Sequence, residues 1–274
     1  MSGNGAAPLW QLEEHPGGVV VAAYRNDPMN YFVGPGAVQL GELIAEWADP
    51  AVRAVVLCGG VPGRFITHYS VEELLAVAED RAALPTVCPP LTDGYHDLLD
   101  GLRALPKPVI VALTGDTMGG GLELSLAADL RIAEQGPYRI GLLETRLGIM
   151  PGGSGTQRLV RMLGPAAAIE ILLLGRVFTP DQAVARGLVH EVVADARARA
   201  LEIATDLAGL SPVALAQVKR AVYEGGGLPW ADGLAVETEA FLATMASDEA
   251  LEAMRAYVAA PLEDRAAFAQ PVAS

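Results

Sequence analysis

The sequence predicts an α/β fold that ends in a helical C-terminal region. Three observations predict it. Short apolar, β-branched runs alternate with helical spacing across residues 9–194, and strand, helix, strand in that order builds right-handed α/β units. Two glycine-rich junctions, at 119–121 and 152–155, each precede a helical pattern, and each has a glutamate nearby. Strand patterns stop after Val193, and four helical stretches follow.

Composition narrows the class. The chain has 274 residues, 51% of them hydrophobic, enough to bury a large core as one domain or one domain with a helical appendage. A net charge of −14 argues against non-specific binding to nucleic acid or anionic membrane. Cys58 and Cys88 are isolated, with no disulfide framework or zinc spacing; Cys58 ends a strand-like run and reads as a core thiol. Residues 1–8 read as a disordered lead-in without a basic-then-apolar signal. No apolar run is long enough to span a bilayer. A cytoplasmic protein with neither a nucleic-acid nor a membrane partner is expected.

In chain order, 19–24 reads as a strand and 26–30 as a turn. Leu40, Leu43, Ile44 and Trp47 lie on one face of a helix over 38–47, and 54–57 is the second strand. Ser70 is a suitable N-cap for a helix over 71–78. Pro85, Pro89 and Pro90 make 82–92 a loop or a broken helix, and helical spacing resumes over 93–105. Lys107 reads as a solvated residue before a buried strand at 109–113, with a turn at Gly115-Asp116. An apolar run at 138–143 reads as a strand ending at Glu144. A helix follows over 165–174, then another capped by Thr179 with Pro180 in its first turn, then a short strand at 189–193. The tail is helical over 196–208, 212–223, 228–244 and 248–258, with Asp195 as a cap.

The chemistry concentrates between Lys107 and Arg158. Gly119, Gly120 and Gly121 open a helix directly after a strand. Glycines there let backbone N–H groups approach a ligand without a Cβ in the way, and the helix N-terminus adds partial positive charge. Such a place holds an oxygen that gains negative charge. Glu123 sits one turn inside the helix, and Glu144 precedes the second glycine loop, Pro151-Gly-Gly-Ser-Gly-Thr-Gln-Arg158. Packing alone explains one glycine turn, but two strand-ends that each carry a glutamate and a glycine loop are hard to explain that way.

The motifs Gly119-Gly-Gly-Leu-Glu-Leu, Leu143-Glu, Leu147-Gly-Ile-Met-Pro-Gly-Gly-Ser-Gly-Thr-Gln-Arg-Leu159 and Gly187-Leu-Val-His-Glu-Val-Val193 resemble the crotonase (enoyl-CoA hydratase/isomerase) family, in family order and over nearly the whole chain. The resemblance implies a crotonase-like ββα superhelix, with a core at 9–194 and a trimerisation region at 195–274. It implies a homotrimer or dimer of trimers that acts on an acyl-CoA thioester, with no cofactor beyond the coenzyme A carried by the substrate. Glu123 and Glu144 are the expected acid–base pair, and backbone N–H groups of Tyr69 and Gly120 the expected oxyanion hole. Substrate contacts are expected from Asn30, Thr67, His68, Gly119, Gly121 and Gly152. Two glutamates imply reversible hydration of a 2-trans-enoyl-CoA. Isomerisation, C–C cleavage or a non-catalytic scaffold are the alternatives.

The chain departs from the family pattern in two places. Where Phe-Ser/Ala-Ala-Gly-Ala-Asp is usual, it reads Phe65-Ile-Thr-His-Tyr-Ser70. His68 and Tyr69 tolerate fewer backbone angles than glycine does, although an N–H donor does not depend on its side chain. His68 reads as a polar rim residue rather than a base. The usual lysines near the phosphates of coenzyme A are missing: Glu72 and Glu73 open the helix after Ser70, and Arg265 alone remains in the tail cluster. Acidic residues there repel a polyanion. Arg25 and Arg64 are candidates to compensate.

Overall fold

The computed structural model describes residues 8–269, and side chains at 87–91 and 267–269 are not described. Residues 1–7 of the expected lead-in and the Cys88 side chain fall outside these limits.

Three successive turns of the chain share one plan: a strand of a large sheet, a short strand of a small sheet, then helix. The chain opens with β1 (Trp10–His15), β2 (Val19–Tyr24) and α1 (Gly34–Glu46). The first turn is β3 (Ala54–Gly59), β4 (Gly63–Arg64), α2 (Val71–Glu79) and α3 (Leu84–Ala104). The second is β5 (Val109–Leu113), β6 (Gly115–Met118) and α4 (Gly120–Ala127). The third is β7 (Leu130–Glu134), β8 (Ile140–Gly141), a 3-10 turn at Glu144–Leu147, α5 (Gly155–Leu163) and α6 (Pro165–Leu173). Then come β9 (Val177–Phe178), α7 (Pro180–Ala185) and β10 (Glu191–Val193), followed by α8 (Ala196–Ala208), α9 (Pro212–Tyr223), α10 (Trp230–Met245) and α11 (Asp248–Ala259).

The large sheet runs β1-β2-β3-β5-β7-β10, parallel except for the β1–β2 pair; the small sheet runs β4-β6-β8-β9. This is the ββα superhelix of the crotonase fold.

Strand periodicity divides the core. Val20, Ala22, Val55, Leu57, Val109 and Val111 face one layer, which holds α1, α3 and α4. Their neighbours Val19, Val21, Ala54, Val56, Ile110 and Ala112 face the other, where Ala196, Ala200 and Ala204 bring α8 close to the sheet. So α8, the first helix of the 195–274 region, packs directly against the sheet.

Other expectations are corrected. The segment expected as a loop or a broken helix over 82–92 is helical from Leu84, with Pro85 in the first turn, where its missing N–H costs nothing. Gly115-Asp116 is not a free turn but the start of β6, paired in parallel with β4. The 138–143 run shortens to β8, and Glu144 opens a 3-10 turn. Lys107 is buried, not solvated: its Nζ donates to the carbonyls of Asp49 and Val52, both at 2.8 Å. Burial lowers its pKa. The caps at Ser70, Thr179 and Asp195 form as expected, each accepting a backbone N–H three residues on. Cys58 is buried, and burial pushes its thiol up to about 11.

Candidate active site

The site gathers at the ends of the small sheet. Tyr69 follows β4, Gly120 follows β6 and Glu144 follows β8, so the three consecutive turns each deliver one part.

The hole comes first. Phe32 N–H donates to His68 O at 2.8 Å, and Ser70 N–H donates to Phe32 O at 2.7 Å. In such a parallel bridge, Tyr69 turns its own N–H to the opposite side. That side holds Gly120, on which a Cβ would stand 3.5 Å from Tyr69 N. Among the described residues, neither N–H has an acceptor. Gly119 makes the corner, with φ +49° and its N–H on Gly141 O at 3.0 Å. Thus His68 and Tyr69 replace the small residues of the family pattern without closing the approach between the two amides. Their side chains are tied elsewhere. Tyr69 Oη donates to Glu73 Oε2 at 2.7 Å, and His68 stacks on Tyr31 with centroids 4.3 Å apart. His68 Nδ1 lies 2.7 Å from Tyr69 O; a carbonyl only accepts, so this nitrogen carries the proton.

The carboxylates flank the hole. Glu123, in the first turn of α4, is 3% exposed, and its Oε1 accepts from Gly153 N–H at 2.7 Å and Gly155 N–H at 2.9 Å. Burial pushes its carboxyl up to about 7; the Gly155 amide opposes this, and the charge of Glu144 adds to it. A Cβ on Gly153 would stand 2.7 Å from Glu123 Oε2, so the second glycine loop is shaped to the carboxylate. Glu144 Oε1 lies 3.3 Å from where a Gly119 Cβ would be. Its Oε2 is buried with no partner among the described residues, and burial raises its pKa. Both carboxyls therefore hold protons more tightly than in water.

Glu123, Glu144, Tyr69, His68, Gly119, Gly120 and Gly152 line one cleft of about 1200 Å³. Asn30, Thr67 and Gly121 are not among the residues that line it. Asn30 is fully buried, and its amide donates to the carbonyls of Tyr24 and Phe65 while its oxygen accepts from Asn26 N–H. Thr67 Oγ1 donates to Met29 O, and its carbonyl accepts Met118 N–H. Gly121 is required by packing, because a Cβ there would collide with the Ile66 carbonyl. These residues staple the loops that carry the site.

Two functional neighbours carry no local sequence signal. Tyr95, from α3, donates to Gly120 O at 2.9 Å and walls the carboxylates. Arg158 ties Ser154 Oγ at 2.7 Å to Asp100 at 2.6 Å, which steadies the loop around Glu123. Arg25 and Arg64 are committed to local acids, Asp27 and Asp116. Among the described residues, no cluster of His, Cys, Asp or Glu is placed to hold a metal ion, and no helix is long and apolar enough to cross a membrane.

A fold that pairs two carboxylates with two free amides at the ends of a ββα superhelix is of crotonase type. The chain matches the family model described as Enoyl-CoA hydratase/isomerase over residues 40–265, and it belongs to that family. It is 35% identical over 240 residues to enoyl-CoA hydratase domain-containing protein 2, mitochondrial, of Bos taurus, covering 85% of this chain and 77% of that one. It is 32% identical over 216 residues to the mitochondrial methylglutaconyl-CoA hydratase of Rattus norvegicus, covering 77% of this chain and 66% of the relative. The crystal structure of an enoyl-CoA hydratase from Bacillus anthracis superposes with a TM-score of 0.84 at 28% identity, covering 91% of this chain and 95% of that one.

Proposed function

We propose that the protein reversibly hydrates a 2-trans-enoyl thioester of coenzyme A. The observation that carries this reading is the placing of two buried carboxyls beside a pair of unpartnered N–H groups in one cleft. The thioester oxygen would accept from Tyr69 N–H and Gly120 N–H. Such donors each lower the barrier by about 3 kcal/mol, because the charge they meet is formed in the transition state.

Glu123, held by two amides, acts as the base. It takes a proton from water as the water oxygen bonds to Cβ. The π electrons move to Cα and the thioester oxygen, and Glu144, protonated, delivers its proton to Cα. Water adds across the double bond, and one proton passing from Glu123 back to Glu144 resets the pair. Burial, with a smaller push from the charge of Glu144, raises the Glu123 carboxyl to about 7, and burial raises that of Glu144, so a proton is available to the pair near neutral pH.

The retained approach of Tyr69 N–H to Gly120 supports catalysis over a scaffold role. The test is loss of conjugated enoyl absorbance when the protein meets crotonyl-CoA. Wild type should give decay, and Glu123→Ala and Glu144→Gln should each lose about 10²- to 10⁴-fold. Near-normal decay in Glu144→Gln would sink the two-carboxylate mechanism. Binding without decay in wild type would point to another reaction of the family.

A homotrimer or dimer of trimers is part of the proposal. Trp230, Phe241, Leu242 and Val258, on α10 and α11, are 81%, 60%, 59% and 69% exposed in the single chain. Apolar surface of that extent on neighbouring helices supports assembly. Light scattering that returned a monomer at micromolar concentration would refute it.

A further inference from the structure

We infer that the acyl group this protein accepts is long and apolar, and that it lies in an arm of the catalytic cleft between α1, α2 and α3. The inference rests on the thioester reading above and adds the substrate class.

The cleft that holds both carboxyls measures about 1200 Å³. Pockets that bury a drug-sized ligand run from about 300 to 1,000 Å³. Part of this space goes to the coenzyme A end of the thioester; a four-carbon acyl group, only about 5 Å long with C–C bonds of about 1.5 Å, would still leave the arm along α1, α2 and α3 to water. Leu84 and Gly101 both line the cleft, so it follows roughly 25 Å of α3 at about 1.5 Å per residue. Tyr95 stands between them, beside the reacting centre.

The walls of the arm are apolar. Ile44 of α1, Leu74 and Val77 of α2, and Leu98 of α3 face it. Where α1 and α3 meet, glycines keep it open: a Cβ on Gly41 would stand 3.7 Å from Leu98 Cδ1, and one on Gly101 would stand 3.7 Å from Ile44 Cγ2. A methyl fits at either position, and a larger side chain fills the arm. Among the described residues, Asp97 is the one charged residue that these three helices contribute to the lining. It would repel an acyl chain that ends in a carboxylate. Rim residues Val38 and Met150 are each 65% exposed, as expected where an apolar ligand completes the surface.

The experiment measures calorimetric binding of saturated acyl-CoAs of four, eight, twelve and sixteen carbons, with a carboxylate-ended eight-carbon thioester for comparison. Wild type, Gly41→Leu and Gly101→Leu are compared. A buried methylene is worth at most about fourfold in affinity. We expect at least a hundredfold gain from four to twelve carbons in wild type. Either leucine variant should remove at least tenfold of that gain and leave the four-carbon affinity within twofold. Affinity that does not rise with length, leucine variants that both keep the gain, or preference for the carboxylate-ended chain would each overturn the inference. Saturated thioesters cannot react, so these outcomes are separate from the hydratase assay. Absence of thioester binding at every length would take down both readings.

Discussion

Replacing Glu123 with Gln should stabilise the protein at alkaline pH while stopping its chemistry. Burial, opposed by two amides and reinforced by the charge of Glu144, raises this carboxyl from 4.5 to about 7. A folded-state value above the unfolded one means that the native state binds the proton more tightly. Unfolding free energy therefore falls as pH rises through the interval between the two values, and it levels off above the higher one. An interval of 2.5 (7 − 4.5), at about 1.36 kcal/mol per pH unit, gives about 3 kcal/mol lost by wild type between pH 4.5 and 7. Gln cannot ionise, yet its Oε1 can still accept from Gly153 and Gly155. The stability difference, variant minus wild type, should thus widen by about 3 kcal/mol between pH 4.5 and pH 8. Urea unfolding at one fixed protein concentration measures it, because assembly makes midpoints concentration-dependent. Curves that stay parallel across that range would refute the claim that Glu123 is strained by burial, and with it the argument for a shared proton. Turnover in the same variant should fall by about 10²- to 10⁴-fold.

Further changes probe the supports of the site. Tyr69→Phe removes the hydrogen bond to the Glu73 carboxylate but keeps the amide, so about 1.5–3 kcal/mol of stability should go while turnover stays within about threefold; a hundredfold loss of turnover would show that the phenol itself takes part. Gly121→Ala presses a methyl on the Ile66 carbonyl and should cost about 1–3 kcal/mol or more, read as a lower melting temperature; an unchanged melt would contradict the packing described. Lys219→Met removes a charged hydrogen bond from Asp129, which keeps those from Tyr223 Oη and Val109 N–H, and should cost about 1.5–3 kcal/mol. That variant should also be cut faster by protease around α9, and an unchanged digestion pattern would mean that this ion pair does not hold the helix.

The parts of the fold that were legible in the sequence are those whose residues report on their own surroundings. The strands 19–24 and 109–113 are buried along their whole length, so an unbroken apolar run marks each of them. β1 escapes notice because it is an edge strand with four exposed residues. β7 escapes because Arg131 lies inside it, buried, with its guanidinium on the carbonyls of Leu188, Ser125 and Ala128. Ser125 and Ala128 are near in sequence but offer only backbone carbonyls, which no residue type announces, and Leu188 is brought in by the fold. The same reason hides the burial of Lys107. At the site, glycine junctions and first-turn glutamates are local signals, and they brought Gly120, Glu123 and Glu144 into view. The internal hydrogen bonds of Asn30 and Thr67 were not legible, because polarity near a cleft does not say where a side chain sends them. Tyr95 reaches Gly120 from a different helix, and only the fold brings the two together.

The division of the site among three turns of the superhelix has a consequence for how such a protein changes. The proposed oxyanion hole is assembled by the turns after β4 and β6, whereas Glu144 comes from the turn after β8. Residues 142–150 could be exchanged as a cassette, replacing the acid and part of the cleft wall while the polarised carbonyl keeps its seat. Effects of substitutions in separate turns should then add, except between Glu123 and Glu144, which feel each other's charge. New chemistry in such a frame would be acquired one winding at a time, with the hole inherited unchanged.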